Sequence, residues 1–219
     1  MQKKKISKTL RRNGKYIIFL GLLLILTYIL LYMTYENVER EMIENLNVKQ
    51  TILAKQAVRG IEMFFNDHLA MLLHLAKNEH IVALDGTGKQ FMRDFYSSHS
   101  KEISIITRID SQGRILYPVP HDQKVIREPV TKMEDFLETK LTGKVVVSDV
   151  FTNRRGFKTI IVHVPVFKEG SFNGTLAVLF PFDFIARRYV EDIRIGQDGY
   201  AWMISKSGIE LSCPVPGHV

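Results

Sequence analysis

One segment of the chain could place a polar, titratable side chain inside a cavity. Residues 157–167 read FKTIIVHVPVF. Because successive side chains of an extended strand point to opposite faces, one face carries only Ile and Val, and the other is mixed. The aliphatic face predicts a packed core. The mixed face holds His163, whose ring nitrogens could hydrogen-bond a small molecule in a cavity; a buried histidine hydrogen-bonded within the protein is the alternative.

Four further residues could supply polar groups near this strand. Asp149 lies in KVVVSDVF, and Tyr117 ends the second predicted strand. Arg154 and Arg155 lie in the next turn, where a guanidinium could bind a carboxylate. A solvated strand residue is the alternative for Asp149, and a solvated hairpin tip is the alternative for the arginines. We predict a ligand-binding site formed by His163, Asp149, Tyr117, Arg154 and Arg155.

Metal-binding and catalytic patterns are weak. His68 and His74 are six residues apart on a predicted helix and do not share one face. Cys213 lies beside Pro214 without an activating partner. No phosphate-binding glycine loop and no nucleophile elbow is present. We therefore predict no metal site, no cofactor, no catalytic residue and no enzyme activity in this chain. Three histidines lack a Cys or His neighbour at ligand spacing: His80, His121 and His218.

An apolar segment follows the first 15 residues. Residues 16–35 read YIIFLGLLLILTYILLYMTY and carry no formal charge. At 1.5 Å per residue, a helix of this length spans about 30 Å, the hydrocarbon thickness of a bilayer. This predicts an uncleaved transmembrane helix. A cleaved signal peptide is the first alternative, although no small-residue cleavage site follows, and a buried helix of a soluble protein is the second.

Charge predicts the topology of this helix. Residues 1–15 contain seven Lys or Arg and no acid, which leaves 23 basic and 23 acidic residues in the remainder. Basic flanks stay in the cytoplasm. We expect a cytoplasmic tail at 1–15 and a periplasmic region at 36–219, in a single-pass protein of the inner membrane. Because the net charge of +7 comes from the tail, nucleic-acid binding is not expected.

The single cysteine, Cys213, excludes an intrachain disulfide. A bacterial periplasmic domain tolerates this, whereas a small secreted domain built on disulfides does not. About 185 residues follow the apolar segment, enough for one well-packed domain.

Residues 36–85 predict a long amphipathic helix. They contain no proline, and Gly60 is the one breaker. Apolar residues recur at helical spacing, from Met42 to Leu75. The helix could continue the membrane helix, and we expect a homodimer through it. Asp85-Gly86-Thr87-Gly88 predicts its end, and residues 90–98 predict a second short helix.

Further along, the pattern favours strands. Residues 101–120 predict two strands with a turn at 111–113, and 131–142 predict a short helix or loop. Val- and Ile-rich strands are predicted at 144–151, 157–167 and 175–180. Turns are predicted at 153–156 and 168–174, and a helix at 183–193. Short connections make the five strands antiparallel, so the predicted fold class is α+β.

A weak internal repeat suggests a second lobe. Residues 108–120 (RIDSQGRILYPVP) and 203–216 (MISKSGIELSCPVP) share a strand, a Ser-x-Gly turn and Pro-Val-Pro. Because the second copy stops near residue 219, we expect an incomplete second lobe, in the N-terminal part of a longer protein. Coincidence is the alternative, since such turns are common.

Taken in order, these segments resemble a double Cache (PDC) sensor domain. The segments are IITRIDSQGRILYPVP, VVVSDVF, GFKTIIVHVPVF, FNGTLAVLFPFDFI and GQDGYAWMISKSGIELSCPVPGH. The likeness covers about residues 36–219 and implies two PAS-like lobes stacked on a long helix. It places a membrane-distal lobe at 86–195, which usually holds the ligand, and the start of a membrane-proximal lobe at 196–219.

The resemblance implies the sensory input of a bacterial receptor, foremost a sensor histidine kinase, with chemoreceptors and diguanylate cyclases as alternatives. A small ligand would rearrange the lobe and shift the helix that leads to the membrane. Within residues 1–219 we expect an incomplete second lobe, without the second membrane helix and output module of the family. Amino-acid-binding members carry an Arg-x-Trp-Tyr-type pattern that is absent here, so we predict another polar or anionic metabolite. The competing hypothesis is a membrane-anchored interaction protein without a ligand.

Overall fold

The computed structural model describes residues 2–121, 130, 133–153, 156–196, 199–205, 208 and 210–213, and of residues 2–15 and 17 the backbone alone. The chain forms two compact units, Met1–Ala54 and Lys55–Val219.

Helix α1 (Gln2–Ala76) provides all of the first unit and the start of the second. By length and composition, the described chain contains one helix that could cross a membrane, and no residue of its apolar window is buried. The predicted apolar helix and the predicted amphipathic helix are therefore one continuous helix. No other element of the first unit covers its apolar side chains.

Two short helices follow in the second unit, α2 (Glu79–Ala83) and α3 (Gly86–His99). The prediction that one helix runs to residue 85 was wrong, because α1 ends at Ala76. Two side chains start the new helices. The Asn78 side chain accepts from the N–H of His80, and that of Asp85 accepts from the N–H of Gly88, each at 2.9 Å. Such N-caps favour a helix start, so the residues interpreted as a stop begin α3.

The second unit contains an antiparallel sheet of six strands, in the order β2-β1-β6-β5-β3, with β4 also paired to β5. This confirms the predicted α+β fold. The strands are β1 (Ile105–Ile109), β2 (Ile115–Val119), β3 (Val146–Val147), β4 (Phe151–Thr152), β5 (Lys158–Lys168) and β6 (Ser171–Pro181).

Two strand predictions need correction. The loop predicted at 168–174 is a two-residue turn at Glu169 and Gly170, both with positive φ, as in a type I′ hairpin. Asn173 and Gly174 therefore lie inside β6. The single strand predicted at 144–151 is divided into β3 and β4, because the Ser148 hydroxyl accepts the N–H of Ile161 and interrupts the regular pairing.

Helices cover both faces of the sheet. Of the two alternatives at 131–142, a short helix or a loop, the structure shows a helix, α4 (Glu134–Thr142). Helix α5 (Phe182–Ala186) continues into a π-helical turn, Arg187–Glu191. The aliphatic face of β5 packs against α1, α2, α3 and α5 in the larger core. The other face packs against α4 in a smaller core around Phe136. Both faces of β5 are therefore buried.

The C-terminal described residues form two strand pairs. Strands β7 (Arg194–Ile195) and β8 (Gly199–Tyr200) pair, as do β9 (Met203–Ile204) and β10 (Glu210–Ser212). The second copy of the repeat thus pairs its strands as β1 and β2 do. The Lys158 ammonium donates to the carbonyls of Glu210 and Leu211 at 3.3 and 2.9 Å.

Candidate ligand-binding site

His163 lies in the middle of β5, on the face covered by α4, and is fully buried. Its Nδ1 lies 3.2 Å from the Thr175 hydroxyl, on the neighbouring strand β6. The Phe136 ring of α4 meets the imidazole edge-on, with 6.0 Å between ring centroids. Its Nε2 is a buried polar atom with no hydrogen-bond partner among the described residues.

Burial also decides the charge of His163. It lowers the pKa of this imidazole from 6.5 to about 4, because the charged form loses its hydration. The ring is therefore neutral near pH 7. A neutral imidazole has one N–H and one lone pair, so Nε2 can either donate or accept a hydrogen bond. An unpaired polar atom in this position costs about 1–3 kcal/mol, which a polar ligand group would recover.

Asp149 is exposed, directly after the interruption of the β3 region. The neighbouring Ser148 hydroxyl donates to the Asp149 backbone carbonyl at 2.8 Å. Burial raises the pKa of Asp135 in α4, and nearby carboxylates, including that of Asp149, add to this effect. Asp149 therefore lies near α4, and its carboxylate is in solvent.

Tyr117 lies on the opposite side of the sheet from His163. The register aligns Tyr117 with Arg108, then Leu176, then Val164, so all four share the aliphatic face. The structure does not bring Tyr117 and His163 together. The Tyr117 hydroxyl instead accepts from Nη1 of Arg93, on α3, at 2.8 Å.

The two remaining candidates, Arg154 and Arg155, lie outside the described residues. Between the described residues that flank them, the N–H of Gly156 donates to the Asn153 carbonyl at 2.9 Å.

A buried arginine on the other face was missed by the sequence analysis. Arg108 is fully buried on the α1 side of β1. Its guanidinium donates to backbone carbonyls of α2, β1 and β6. The acceptors are Ile81 at 3.3 Å, Asn173 at 2.9 Å, Thr175 at 3.4 Å and Ile109. Burial lowers its pKa to about 10, so it stays charged near neutral pH. A charged residue inside the apolar run IITRI was the available signal.

The fold defines a class of protein. A long helix on one face of an antiparallel sheet, with a short helix over a buried polar side chain on the other, is the architecture of a small-molecule sensor lobe. A family model described as the Cache domain matches residues 34–215, and the chain belongs to that family. This confirms the resemblance found in the sequence. A comparison with curated protein sequences gave no significant match.

Solved structures share this fold at low sequence identity. The ligand-binding domain of the amino acid chemoreceptor PctC of Pseudomonas aeruginosa, solved with GABA, is 16% identical, with a TM-score of 0.62. The match covers 77% of this chain and 75% of that one. The extracellular domain of mmHK1S-Z2, described as a histidine kinase, is 20% identical, with a TM-score of 0.51 and coverages of 73% and 73%.

An extracellular ligand binding receptor from Desulfohalobium retbaense is 21% identical, with a TM-score of 0.55. The match covers 62% of this chain but spans only about a quarter of that receptor, 25%. The chain is thus a Cache sensor domain that resembles ligand-binding domains from more than one type of receptor. A Cache domain senses and does not catalyse, so no enzyme activity is expected in this region.

Proposed function

We propose that the chain is the ligand-binding input region of a bacterial transmembrane receptor, a sensor histidine kinase of a two-component system. The observation that carries the proposal is Nε2 of His163, a fully buried polar atom without a partner among the described residues. Natural cores rarely keep such an atom unless it has a use. A lobe that served only as an interaction surface would have no need of it.

The ligand would bind on the α4 face of the sheet. Because His163 is neutral near pH 7, it would hydrogen-bond a hydroxyl, amide or similar polar group. An anionic ligand would take its countercharge from elsewhere, and Arg154 and Arg155 remain our candidates for that role. Asp149, which is exposed and near α4, could accept a hydrogen bond at the rim. Tyr117 would contribute only from the opposite face, beside Arg93.

Access to His163 would couple binding to a movement. The Phe136 ring of α4 packs against the imidazole, so a ligand that reaches Nε2 would displace this helix. Residues of β5 and β6 also pack against α1 on the other face of the sheet. A shift of α4 could thus bias the sheet and the long helix, as sensor mechanisms require.

The membrane arrangement is also part of the proposal. The seven basic residues of 1–15 support a cytoplasmic tail, a helix through the inner membrane at 16–35 and a periplasmic sensor lobe. An exposed stripe on α1 that includes Val38, Met42 and Leu46 supports a homodimer through the long helix. The similarity to a chemoreceptor domain supports the alternative that the chain is the input region of a chemoreceptor.

Thermal unfolding of the full chain in detergent would test the ligand site. We would screen polyols, amides and dicarboxylates, and expect one class to raise the midpoint by mass action. His163→Phe should abolish this rise while the protein still folds cooperatively. A rise that persists in both His163→Phe and Asp149→Ala would place the pocket elsewhere.

A further inference from the structure

Three potential metal ligands converge in the second unit, away from His163. His68 comes from α1, His99 ends α3, and Glu102 follows three residues later. Each offers one ligand atom, and these atoms lie within 4.8 Å of one another. His68 is buried, with 5% of its surface exposed, and the other two are half-buried. No sequence pattern indicated this cluster, because His68 and Glu102 are 34 residues apart.

Both histidines are oriented by the helices that carry them. Nδ1 of His68 lies 2.8 Å from the Phe64 carbonyl, and Nδ1 of His99 lies 2.9 Å from the Phe95 carbonyl. A carbonyl can only accept, so each Nδ1 carries the proton. Each Nε2 is then the nitrogen available to bind a metal. A backbone carbonyl on the second ring nitrogen is the usual support of a metal-bound histidine.

A second observation points to a cation at this place. Nε2 of His68 lies 3.0 Å from Oε2 of Glu102, while its Nδ1 already donates to Phe64. A neutral imidazole has only one N–H, so a lone pair would face a carboxylate oxygen. Either a second proton, on the ring or on the carboxyl group, or a metal ion must lie between them.

We propose that His68, His99 and Glu102 bind a divalent transition metal ion of the Zn²⁺ type. The ligands would be the two Nε2 atoms and a carboxylate oxygen, with the fourth position open to water or to another ligand. Two histidines and a glutamate form a ligand set that zinc uses. Ligand atoms of a tetrahedral zinc site lie about 3.4 Å apart. The His68–Glu102 pair is near this separation, and small side-chain rotations would bring His99 in.

The surroundings are compatible with a bound cation. The Phe180 ring packs edge-on against His68, and the Phe95 ring stacks on His99, so apolar groups flank the histidines. Arg188 is the nearby positive charge, and its Nη1 lies 3.8 Å from Oε1 of Glu102. Because it approaches the other carboxylate oxygen, Oε2 stays available. The ion would tie α1 to the end of α3 within the sensor lobe.

Calorimetric titration of the metal-stripped full chain in detergent with Zn²⁺ alone would test the proposal. We expect one ion per chain. His99→Gln and Glu102→Gln should each weaken binding by at least about tenfold, the lower bound for groups that only orient a ligand. His80→Gln is the matched control, because His80 pairs with Asp85 at 2.8 Å outside the cluster and should leave the affinity unchanged.

Cobalt provides a second readout. Co²⁺ should give the visible absorption of a tetrahedral site in the wild type and in His80→Gln, and lose it in the two cluster variants. We leave His68 unchanged because its burial makes a folding defect the expected result of substitution. Absence of Zn²⁺ binding, or equal affinity in all four proteins, would overturn the proposal. The cluster would then be only a hydrogen-bonded pair of His68 and Glu102 beside His99.

Discussion

The backbone carbonyl of His80 occupies the place that a Cβ atom at position 88 would need. Gly88 lies in the first turn of α3, and His80 lies in α2, so the two short helices approach through this glycine. Only a residue without a side chain permits this contact. The second glycine of Asp-Gly-Thr-Gly, Gly88, thus allows two helices to pack closely and does not end a helix.

Gly88→Ala should destabilise the sensor unit. The added methyl would overlap the backbone of α2, which cannot move aside like a flexible side chain, and overpacking of this kind costs about 1–3 kcal/mol. Gly86→Ala is the matched control two residues earlier, because nothing lies within 4 Å of its Cβ position. It should be neutral or stabilise by up to about 1 kcal/mol through helix propensity. Denaturant unfolding would measure both, and equal effects would contradict the contact.

Arg108→Met should cost more than an ordinary core substitution. The change leaves carbonyl groups of α2 and β6 without a buried donor, and removal of a charged hydrogen-bonding partner costs about 3 kcal/mol or more. Arg108→Lys should recover only part of the lost stability, because an ammonium group cannot reach all the carbonyl acceptors of the guanidinium. The free energy of unfolding would be compared with that of Arg114→Met, an exposed control in the β1–β2 turn. A lysine variant as stable as the wild type would argue against a role for these guanidinium hydrogen bonds in stability.

Local patterns predicted most of the fold. The uncharged run at 16–35, the alternation in β5 and the Ser-Gln-Gly turn at 111–113 each depend on neighbouring residues, and each forms the expected element. Where apolar spacing and capping residues predicted different helix boundaries, the structure follows the capping side chains. Asn78 and Asp85 start helices in a stretch that the apolar spacing made continuous.

Contacts between distant segments could not be predicted from the sequence. Tyr117 was predicted at the end of the second strand but lies in the middle of β2. Its face depends on the register between β1 and β2. That register places it with Val164 and not with His163. The convergence of His68 with Glu102 likewise depends on how α3 packs against α1. The burial of His163 also depends on a distant segment, because α4 covers this face of the sheet.

The positive charge of the tail should set the membrane orientation. A phosphatase that is active only in the periplasm, fused after Val219, should be active with the wild-type tail. Replacing the seven Lys and Arg of residues 1–15 with Glu should reduce that activity, because the cytoplasmic anchor of the helix is lost. A fusion that reports a cytoplasmic position with the wild-type tail would reverse the proposed topology.

The exposed stripe of α1 should bring two chains together. In a Cys213→Ser background, cysteines at Met42 or Leu46 should form intermolecular disulfides in membranes, since a two-fold interface places a residue near its own copy. Glu44→Cys lies on the opposite face of the helix and is the matched control. Equal crosslinking at positions 42 and 44 would indicate random collision, and would contradict a specific helix dimer.

His163 should make the sensor lobe sensitive to acid. Its pKa is about 4 when folded and 6.5 as the ordinary value, so between these pH values the unfolded chain binds a proton that the folded chain does not. Stability is therefore complete above pH 6.5 and falls as the pH drops toward 4, by about 1.4 kcal/mol per unit and about 3 kcal/mol in all. Denaturant unfolding of the full chain across this range would measure the slope.

The matched variant replaces both members of the buried pair, as His163→Phe with Thr175→Val. Because neither new side chain titrates, the part of the slope between pH 6.5 and 4 that comes from the imidazole should vanish, while the contribution of the carboxylates remains. At pH 7 and without ligand, the double variant should be at least as stable as the wild type, since it removes the unpaired Nε2. An unchanged slope would mean that His163 takes up its proton as readily in the folded chain as in the unfolded one. The conclusion that the imidazole is neutral and buried, on which the proposed ligand site depends, would then be wrong.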